Sequence, residues 1–344
     1  MKTTMTKQVL MQKLKIGVVG ATGMVGQTFM NILEERKFPV AELRLFASEA
    51  SLGKKISFMN RQIPLQVLKP QCFQGLDLVF FSSGDDISEE WAPKAVEDGA
   101  FAVDNSAAFR MNPKIHLVVP EVNGHLLKRG MAPQIIANPN CSTIQLVVAL
   151  KPLHEHFKVK EVKAATYQAV SGAGLAGAEE LENQIAAGKG PLPTPKTFPH
   201  AIAYNLIPQI GSFNDLGFCS EEWKIINETK KILEAPEMHV SAFTVRVPIL
   251  NAHSEAVWIT FDRIVTRDEF MTALRSGEGI VVEDDPKNSV YPTPRAKSGE
   301  DPVYVGRIHR DPTQQNLWQM WVVSDNLRKG AALNGVQIAE RLFL

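Results

Sequence analysis

Short unbroken apolar runs alternate along the first half of the chain with longer segments whose apolar residues recur every three or four positions. KIGVVG, Lys15 to Gly20, has the pattern of a buried strand. It runs through ATGMVG into a segment with Phe29, Ile32 and Leu33 on one side, which predicts a helix to about Glu35. ELRLFAS (Glu42 to Ser48), DLVFFSS (Asp77 to Ser83) and FAVDNS around Val103 predict further strands, with ISEEWAPKAVEDG predicting a helix before the last of them. Alternating strands and helices predict a doubly wound parallel sheet. Downstream, Ile135 to Phe157 passes from a strand-like run to a helix-like one that begins at Cys141. FTVRVPILNAHSEAVWITF predicts two strands joined by a tight connection, with Arg246 near the end of the first and His253 at the entrance to the second, a polar pair on adjoining strand ends. The Pro- and Gly-rich stretch from Gly188 to Asp215 predicts an irregular excursion whose apolar residues suggest a subunit contact, and YPTPRAKSGEDP a surface loop.

The turn between the first strand and helix carries Gly20, Gly23 and Gly26. This G-x-x-G-x-x-G spacing is a variant of the dinucleotide fingerprint, in which small residues let the backbone approach a pyrophosphate and a helix N-terminus offers unpaired N–H groups to it. A glycine turn before a helix is common, so the motif gains its force from the strand and helix alternation around it. A site for NAD usually carries an acid at the tip of the second strand. Here the tip is Phe46-Ala47-Ser48, with Glu49 one step into the loop and Ser51, Lys54 and Lys55 beyond, a set that tolerates a 2′-phosphate and favours NADP.

Composition narrows the partner. The 344 residues are 44% hydrophobic and 22% charged with a formal net charge of zero, enough apolar material for two domains. With no Lys/Arg block or stripe, neither nucleic acid nor an anionic membrane is an expected partner, and a small molecule is. No run of about 18 apolar residues predicts a membrane span. The first fifteen residues, basic and without acids, predict a frayed lead-in. Cys72, Cys141 and Cys219 form no C-x-x-C pair and predict neither a disulfide framework nor a metal site; a reducing, cytoplasmic setting fits them.

Cys141 is the candidate nucleophile. A thiol at a helix N-terminus feels the positive end of the dipole and its unpaired N–H groups. Moving it from about 8.5 to about 6.5 requires roughly 2.7 kcal/mol, whereas a helix end supplies about 0.3–1 and at most about 2. A histidine partner on a rigid turn is therefore expected. Against this stands the fact that most free cysteines are buried and do nothing chemical. Cys219, in GFCSEEW, also precedes a predicted helix, but with Ser220 as the expected N-cap and acids in the first turn that oppose a thiolate. Cys72 reads as structural. Of the eight histidines, His154 and His156 fall late on the Cys141 helix and read as surface groups; His253, at a strand entrance with Arg246 on the adjoining strand end, is the candidate, and on spacing alone a structural histidine is the competing interpretation.

GATGMVG, NPNCST (Asn138 to Thr143), TYQAVSGAG (Thr166 to Gly174), EEWK (Glu221 to Lys224), RVPILNAHSE (Arg246 to Glu255) and SDNLRKGAA (Ser324 to Ala332) together resemble the aspartate-semialdehyde dehydrogenases, in order and over nearly the whole chain. The resemblance implies an enzyme that uses NADPH to convert L-aspartyl 4-phosphate to aspartate 4-semialdehyde and phosphate, toward lysine, methionine and threonine. It implies Cys141 as the nucleophile that forms an acyl-thioester and His253 as its acid/base. Gln168 and Arg246 match substrate-holding positions, with Arg246 on the α-carboxylate, a task suited to a planar guanidinium. Arg110 and Lys224 match phosphate-binding positions, and Glu221, at i, i+3 from Lys224, is a candidate for the substrate ammonium. Asn140, with the Cys141 backbone N–H, is the candidate for the oxyanion. Thr22, Gly23, Met24, Val25, Ser171, Gly172 and Asn326 match dinucleotide contacts.

One departure concerns the loop after the second strand. The family commonly has Ala-Ser-x-Arg-Ser-x-Gly-Lys, with the arginine against the 2′-phosphate; here Ala50 replaces it between Ser48 and Ser51. Losing a charge-assisted contact weakens discrimination by about 1–3 kcal/mol, so a relaxed preference that admits NAD is expected. The implied fold class is α/β plus α+β. A Rossmann-type dinucleotide domain spans residues 1–140 and is completed by a C-terminal helix over 326–344; a catalytic and dimerisation domain spans 141–325. A homodimer is expected. N-acetyl-γ-glutamyl-phosphate reductase, with the same chemistry on a longer acyl chain, is the nearest alternative, and a non-catalytic dinucleotide-binding homologue the alternative of a different class.

Overall fold

The computed structural model describes residues 13–188 and 190–344; most of the expected N-terminal lead-in lies outside them. An eight-stranded sheet is built from β1 (Leu14–Val19), β2 (Val40–Phe46), β3 (Lys55–Phe58), β4 (Arg61–Gln66), β5 (Leu78–Phe81), β6 (Phe101–Asp104), β7 (His116–Leu117) and β8 (Ile135–Ala137). Their order is β3-β4-β2-β1-β5-β6-β8-β7. All neighbours are parallel except the β3/β4 edge pair, a hairpin absent from the predicted parallel sheet. Helices α1 (Met24–Glu35), α2 (Asp85–Glu97) and the short α3 (Pro120–Asn123) connect the strands. β1, β5 and β6 are buried almost throughout, as strands covered on both faces must be.

The second sheet has six strands: β9 (Val159–Gln168), β10 (His239–Arg246), β11 (His253–Phe261), β12 (Ile280–Val282), β13 (Val303–Arg310) and β14 (Leu317–Ser324), ordered β10-β9-β11-β14-β13-β12. Against one face lies α4 (Cys141–Phe157), which is buried on most sides and shares a core with Val257, Ile259 and Phe261 of β11. α5 (Gly174–Ala186), α6 (Ser220–Ile232), α7 (Arg267–Ser276) and the short α8 (Pro294–Lys297), which falls in the predicted YPTPRAKSGEDP surface loop, complete this half. The other face leaves Phe243 57% and Tyr167 36% exposed. No helix among the described residues is long and apolar enough to cross a membrane.

α9 (Leu333–Phe343) returns to the first sheet, its Leu333, Val336 and Leu342 packing in one cluster with Ile16, Phe29 and Phe80. A π-helical turn, Arg328–Ala332, leads into it. Such wide turns gather at functional sites. In this one Gly330 faces Cys141 so closely that a Cβ there would stand 3.0 Å from the Cys141 Cβ.

Two expectations of local structure are corrected. The cap of α6 is Cys219, with Ser220 the first helical residue; the Ser220 N–H is taken by the Ser212 carbonyl at 2.8 Å and the Cys219 N–H by Glu222 at 2.9 Å. The strands carrying Arg246 and His253 are not neighbours either: β9 lies between them, parallel to β10 and antiparallel to β11. Gln168 at the end of β9 thus stands beside Arg246.

Candidate active site

The chemistry gathers where the C-terminal edges of both sheets meet the N-terminus of α4. A cavity of about 420 Å³ is lined by the glycine turn (Gly23, Met24, Val25), by Asn140 and Cys141, by Ser171 and Gly172, by Arg110, Glu221 and Lys224, and by Asn326. Gly26 explains the tight start of α1: a Cβ there would lie 2.3 Å from the Gly20 carbonyl oxygen. The helix opens with Gly23 at its N-cap, no side-chain cap and no acid in its first turn. Its N–H groups are left to an anion, which fits a dinucleotide pyrophosphate. Thr22 is exposed beside the turn, its carbonyl accepting from Gln27 at 2.9 Å. A neighbouring cavity of about 360 Å³ holds Gly20, Ser48 and Glu49. Ala50 and Ser51 belong to the 3₁₀ turn Glu49–Ser51, with Ser51 buried and Ala50 exposed, and neither lines that cavity.

Cys141 is the first residue of α4, as its sequence position implied, and is partly exposed. Asn140 caps the helix: its Oδ1 accepts from the N–H groups of Ser142 and Thr143, both at 3.1 Å. Its Nδ2 donates to Glu221 at 2.7 Å, so the amide proposed for the oxyanion is partly committed to holding the helix start. Gln168 donates from Nε2 to Ser142 Oγ at 2.6 Å and to Glu221 at 3.0 Å. Arg246, 6% exposed, donates from Nη1 to the Ala169 carbonyl at 2.6 Å. Gly172 marks where these meet, since a Cβ on it would lie 2.7 Å from Arg246 Nη1 and 3.3 Å from His253 Nε2. Asn326 and Ser171 bond each other at 2.9 Å.

His253 is wholly buried, and its Nδ1 accepts the Ala169 N–H at 3.1 Å. The neutral ring therefore carries its proton on Nε2, which has no protein partner. Burial and then the charge of Arg246 hold its pKa well below the usual imidazole range. Burial and then the Glu221 carboxylate push the Cys141 thiol up to about 12, against the pull of Arg246 and Arg110. Both shifts oppose the expected resting ion pair and favour a neutral thiol beside a neutral imidazole: the helix end is outweighed by desolvation and by a carboxylate that sequence spacing does not reveal. Glu221 itself, though burial opposes its charge, is kept below the usual carboxylate range by Lys224, the two amides and Arg246.

Several residues of this region carried no sequence-based assignment. Ser142 anchors Gln168. Glu228 joins Arg110 to the backbone of Asn140; its signal was its spacing, seven residues after Glu221 and four after Lys224 on one helix. Glu255, two residues beyond His253, is fully buried with neither carboxyl oxygen in good hydrogen-bond geometry, and burial pushes its pKa well up against a weaker opposing pull from the Gln145 side chain. Cys219 is buried against Thr244 Oγ1 at 3.1 Å, and Cys72 is buried at the edge of an aromatic cluster. No metal-binding group of His, Cys, Asp and Glu occurs among the described residues.

Residues 15–129 match the family described as semialdehyde dehydrogenase, NAD binding domain, and residues 150–329 match semialdehyde dehydrogenase, dimerisation domain. The chain is 47% identical over 332 residues to an aspartate-semialdehyde dehydrogenase of Aquifex aeolicus, covering 95% of this chain and 97% of that one. It is 44% identical over 339 residues to that of Bacillus subtilis, at 96% and 97% coverage. Among solved structures, aspartate semialdehyde dehydrogenase II from Vibrio cholerae, complexed with ASA, superposes with a TM-score of 0.90 at 40% identity, covering 96% of this chain and 98% of that chain. The Candida albicans aspartate semialdehyde dehydrogenase with NADP superposes with a TM-score of 0.73 at 29% identity and the same coverage.

Proposed function

The chain belongs to the aspartate-semialdehyde dehydrogenase family, and on that premise we propose that it reduces L-aspartyl 4-phosphate to aspartate 4-semialdehyde with release of phosphate. The observation that carries this reading is a single cavity lined both by the glycine turn at the start of α1 and by Cys141 at the start of α4. A dinucleotide held at the first would supply hydride to an acyl group held at the second.

Cys141 Sγ attacks the acyl carbon, the bond from that carbon to the phosphate oxygen breaks, and a thioester forms. The thiol proton is balanced by the phosphate, which leaves as its monohydrogen dianion. The resting thiol is held largely neutral, so it gives up its proton as it attacks. His253 turns its Nε2 toward the site beside Gly172, where the neutral tautomer offers an N–H to the acyl oxygen as charge develops there. Arg246 and Gln168 hold the substrate, with Arg246 on its carboxylate, and Glu221 takes its ammonium. Arg110 and Lys224 receive the phosphate. The Cys141 N–H and the remaining Asn140 N–H stabilise the oxyanion. Gly20, Thr22, Gly23, Met24, Val25, Gly26, Ser171, Gly172 and Asn326 would hold the cofactor, with Ser48 beside its ribose and Ala50 and Ser51 in the turn behind Ser48, outside the cavity lining. Once the thioester is reduced, Cys141 is expelled as thiolate and recovers a proton.

NADP is the preferred cofactor, with a relaxed preference because Ala50 supplies no charge and Glu49 lies in the adjoining cavity; a strongly one-sided ratio of kcat/KM for NADPH over NADH contradicts this. The exposed apolar face of the six-stranded sheet around Phe243 and Tyr167 supports a homodimer through that face, and three unpaired cysteines suit the cytoplasm. The deciding assay is phosphate-dependent reduction of NADP by aspartate semialdehyde. Cys141→Ser abolishes it while dinucleotide binding persists, and Cys219→Ser is nearly silent; the reverse ranking overturns the choice of nucleophile.

A further inference from the structure

Four charged residues of α6, Glu221, Lys224, Glu228 and Lys231, recur at i, i+3, i+7 and i+10 and so lie along one helix face. Glu221 and Lys224 line the main cavity. Glu228 does not. It is 1% exposed, and its two oxygens serve different parts of the site: Oε1 lies 3.1 Å from Arg110 Nη1, and Oε2 accepts the Asn140 N–H at 2.7 Å. Asn140 is the cap of the helix that begins with Cys141. Arg110 is gripped on its other sides too, donating from Nε to the Asn138 carbonyl at 3.0 Å and from Nη2 to the Asn105 carbonyl at 2.8 Å. Lys231 donates to the carbonyls of Arg110, Asn112 and Ile115 at 2.7, 2.8 and 3.1 Å, holding the backbone from which the arginine projects.

We propose that Glu228 is a positioning residue for the reaction: its bridging carboxylate sets the spacing between the arginine that receives the phosphate and the helix cap that carries the nucleophile. The inference rests on the reading of Arg110 as a phosphate ligand. A carboxylate that only neutralised the arginine would have no need to reach the Asn140 N–H, and it would oppose the arrival of an anion. A bridge compensates for that opposition by presenting the free edge of the guanidinium at one fixed distance from Sγ. In-line departure of phosphate requires that distance, because reacting groups lose rate steeply when displaced by about 1 Å.

Two substitutions separate bridge from charge. Glu228→Gln keeps the length and loses the charge; Glu228→Asp keeps the charge and is too short to span both partners. In phosphate-dependent oxidation of aspartate semialdehyde, a bridge predicts that both variants raise the KM for phosphate and lower kcat, each by about tenfold, the loss expected of a hydrogen bond to a charged group, with the aldehyde KM changed by less than about threefold. In an Arg110→Gln background, Glu228→Gln should add little to the phosphate KM, since the two act as one unit. An aspartate variant that behaves as wild type, a phosphate KM that falls on removing the charge, or effects that add across the double variant would overturn the proposal. If Glu228→Gln fails to fold, Glu228→Asp carries the test. Should Arg110→Gln leave the phosphate KM unchanged, the reading of Arg110 falls instead. The tie to Cys141 is then judged from its alkylation by iodoacetamide in phosphate-free enzyme: a rate changed about threefold or more by Glu228→Gln upholds it, and an unchanged rate refutes it.

Discussion

Replacing Glu221 by glutamine should make Cys141 a better nucleophile toward a neutral reagent while the enzyme itself becomes worse. The thiol is raised from 9.0 to about 12 by burial and then by Glu221, with Arg246 and Arg110 pulling the other way. Three units correspond to about 4 kcal/mol, so at pH 8 only about one Cys141 in ten thousand is a thiolate. Glutamine keeps an acceptor for the Asn140 amide, which the carboxylate now holds at 2.7 Å, and removes only the charge. Taking away one neighbouring charge of this kind lowers a pKa by about one unit, the lower end of the range for such pairs, and so raises the thiolate population at fixed pH about tenfold. The assay is the second-order rate of iodoacetamide alkylation of the Cys141 peptide, followed by mass spectrometry from pH 7 to 10 in the absence of substrate and cofactor. Wild type should react slowly with a rate still climbing at the top of the range, and Glu221→Gln should react about tenfold faster across it. A wild-type profile that levels off near neutral pH, or a variant whose profile superposes on it, would refute the electrostatic reading and restore the resting ion pair.

Gly172→Ala places a Cβ 2.7 Å from Arg246 Nη1, a group already anchored on the Ala169 carbonyl, and 3.3 Å from His253 Nε2. Displacement of either group should cost kcat/KM about a hundredfold with little change in melting temperature, and unaltered kinetics would show that this corner is slack. Glu255→Gln tests the buried acid beyond His253, whose pKa is raised well above the usual range by burial. Such a group stabilises the fold fully below its unfolded pKa, and that contribution declines by about 1.4 kcal/mol per pH unit as pH rises toward the folded pKa. Glutamine escapes the decline. Its melting temperature relative to wild type should therefore climb from about pH 4.5 upward, the region above an ordinary carboxyl pKa, and parallel curves would refute the assignment.

Local patterns carried much of the site. The first strand, glycine turn and helix are contiguous in sequence, and Cys141 begins a helix because Asn140, its immediate predecessor, supplies the cap. What failed at short range failed narrowly: the cap of α6 lies one residue before Ser220, where Glu222 reaches back to the Cys219 N–H. Larger errors came from contacts that no local window contains. The strands bearing Arg246 and His253, joined by a short connection, are held apart by β9, which enters between them from some eighty residues upstream. The β3/β4 hairpin leaves no strong period in the sequence because it is a short edge pair with Pro64 and few buried positions.

The sequence by itself determined which residues are available and on which local element each one sits: a glycine turn able to approach an anion, a thiol at a helix start, and a histidine, an arginine and a glutamine at strand ends. Tertiary structure alone decided their charge states and their partners. A protonation equilibrium sums burial and every nearby charge: burial first and then the Glu221 carboxylate raise the Cys141 thiol, burial first and then the Arg246 charge lower the His253 imidazole, and neither the burial nor these distances can be read from a local stretch of chain. Likewise Glu228 is one more acid on a helix until folding brings Arg110 and Asn140 to its two oxygens.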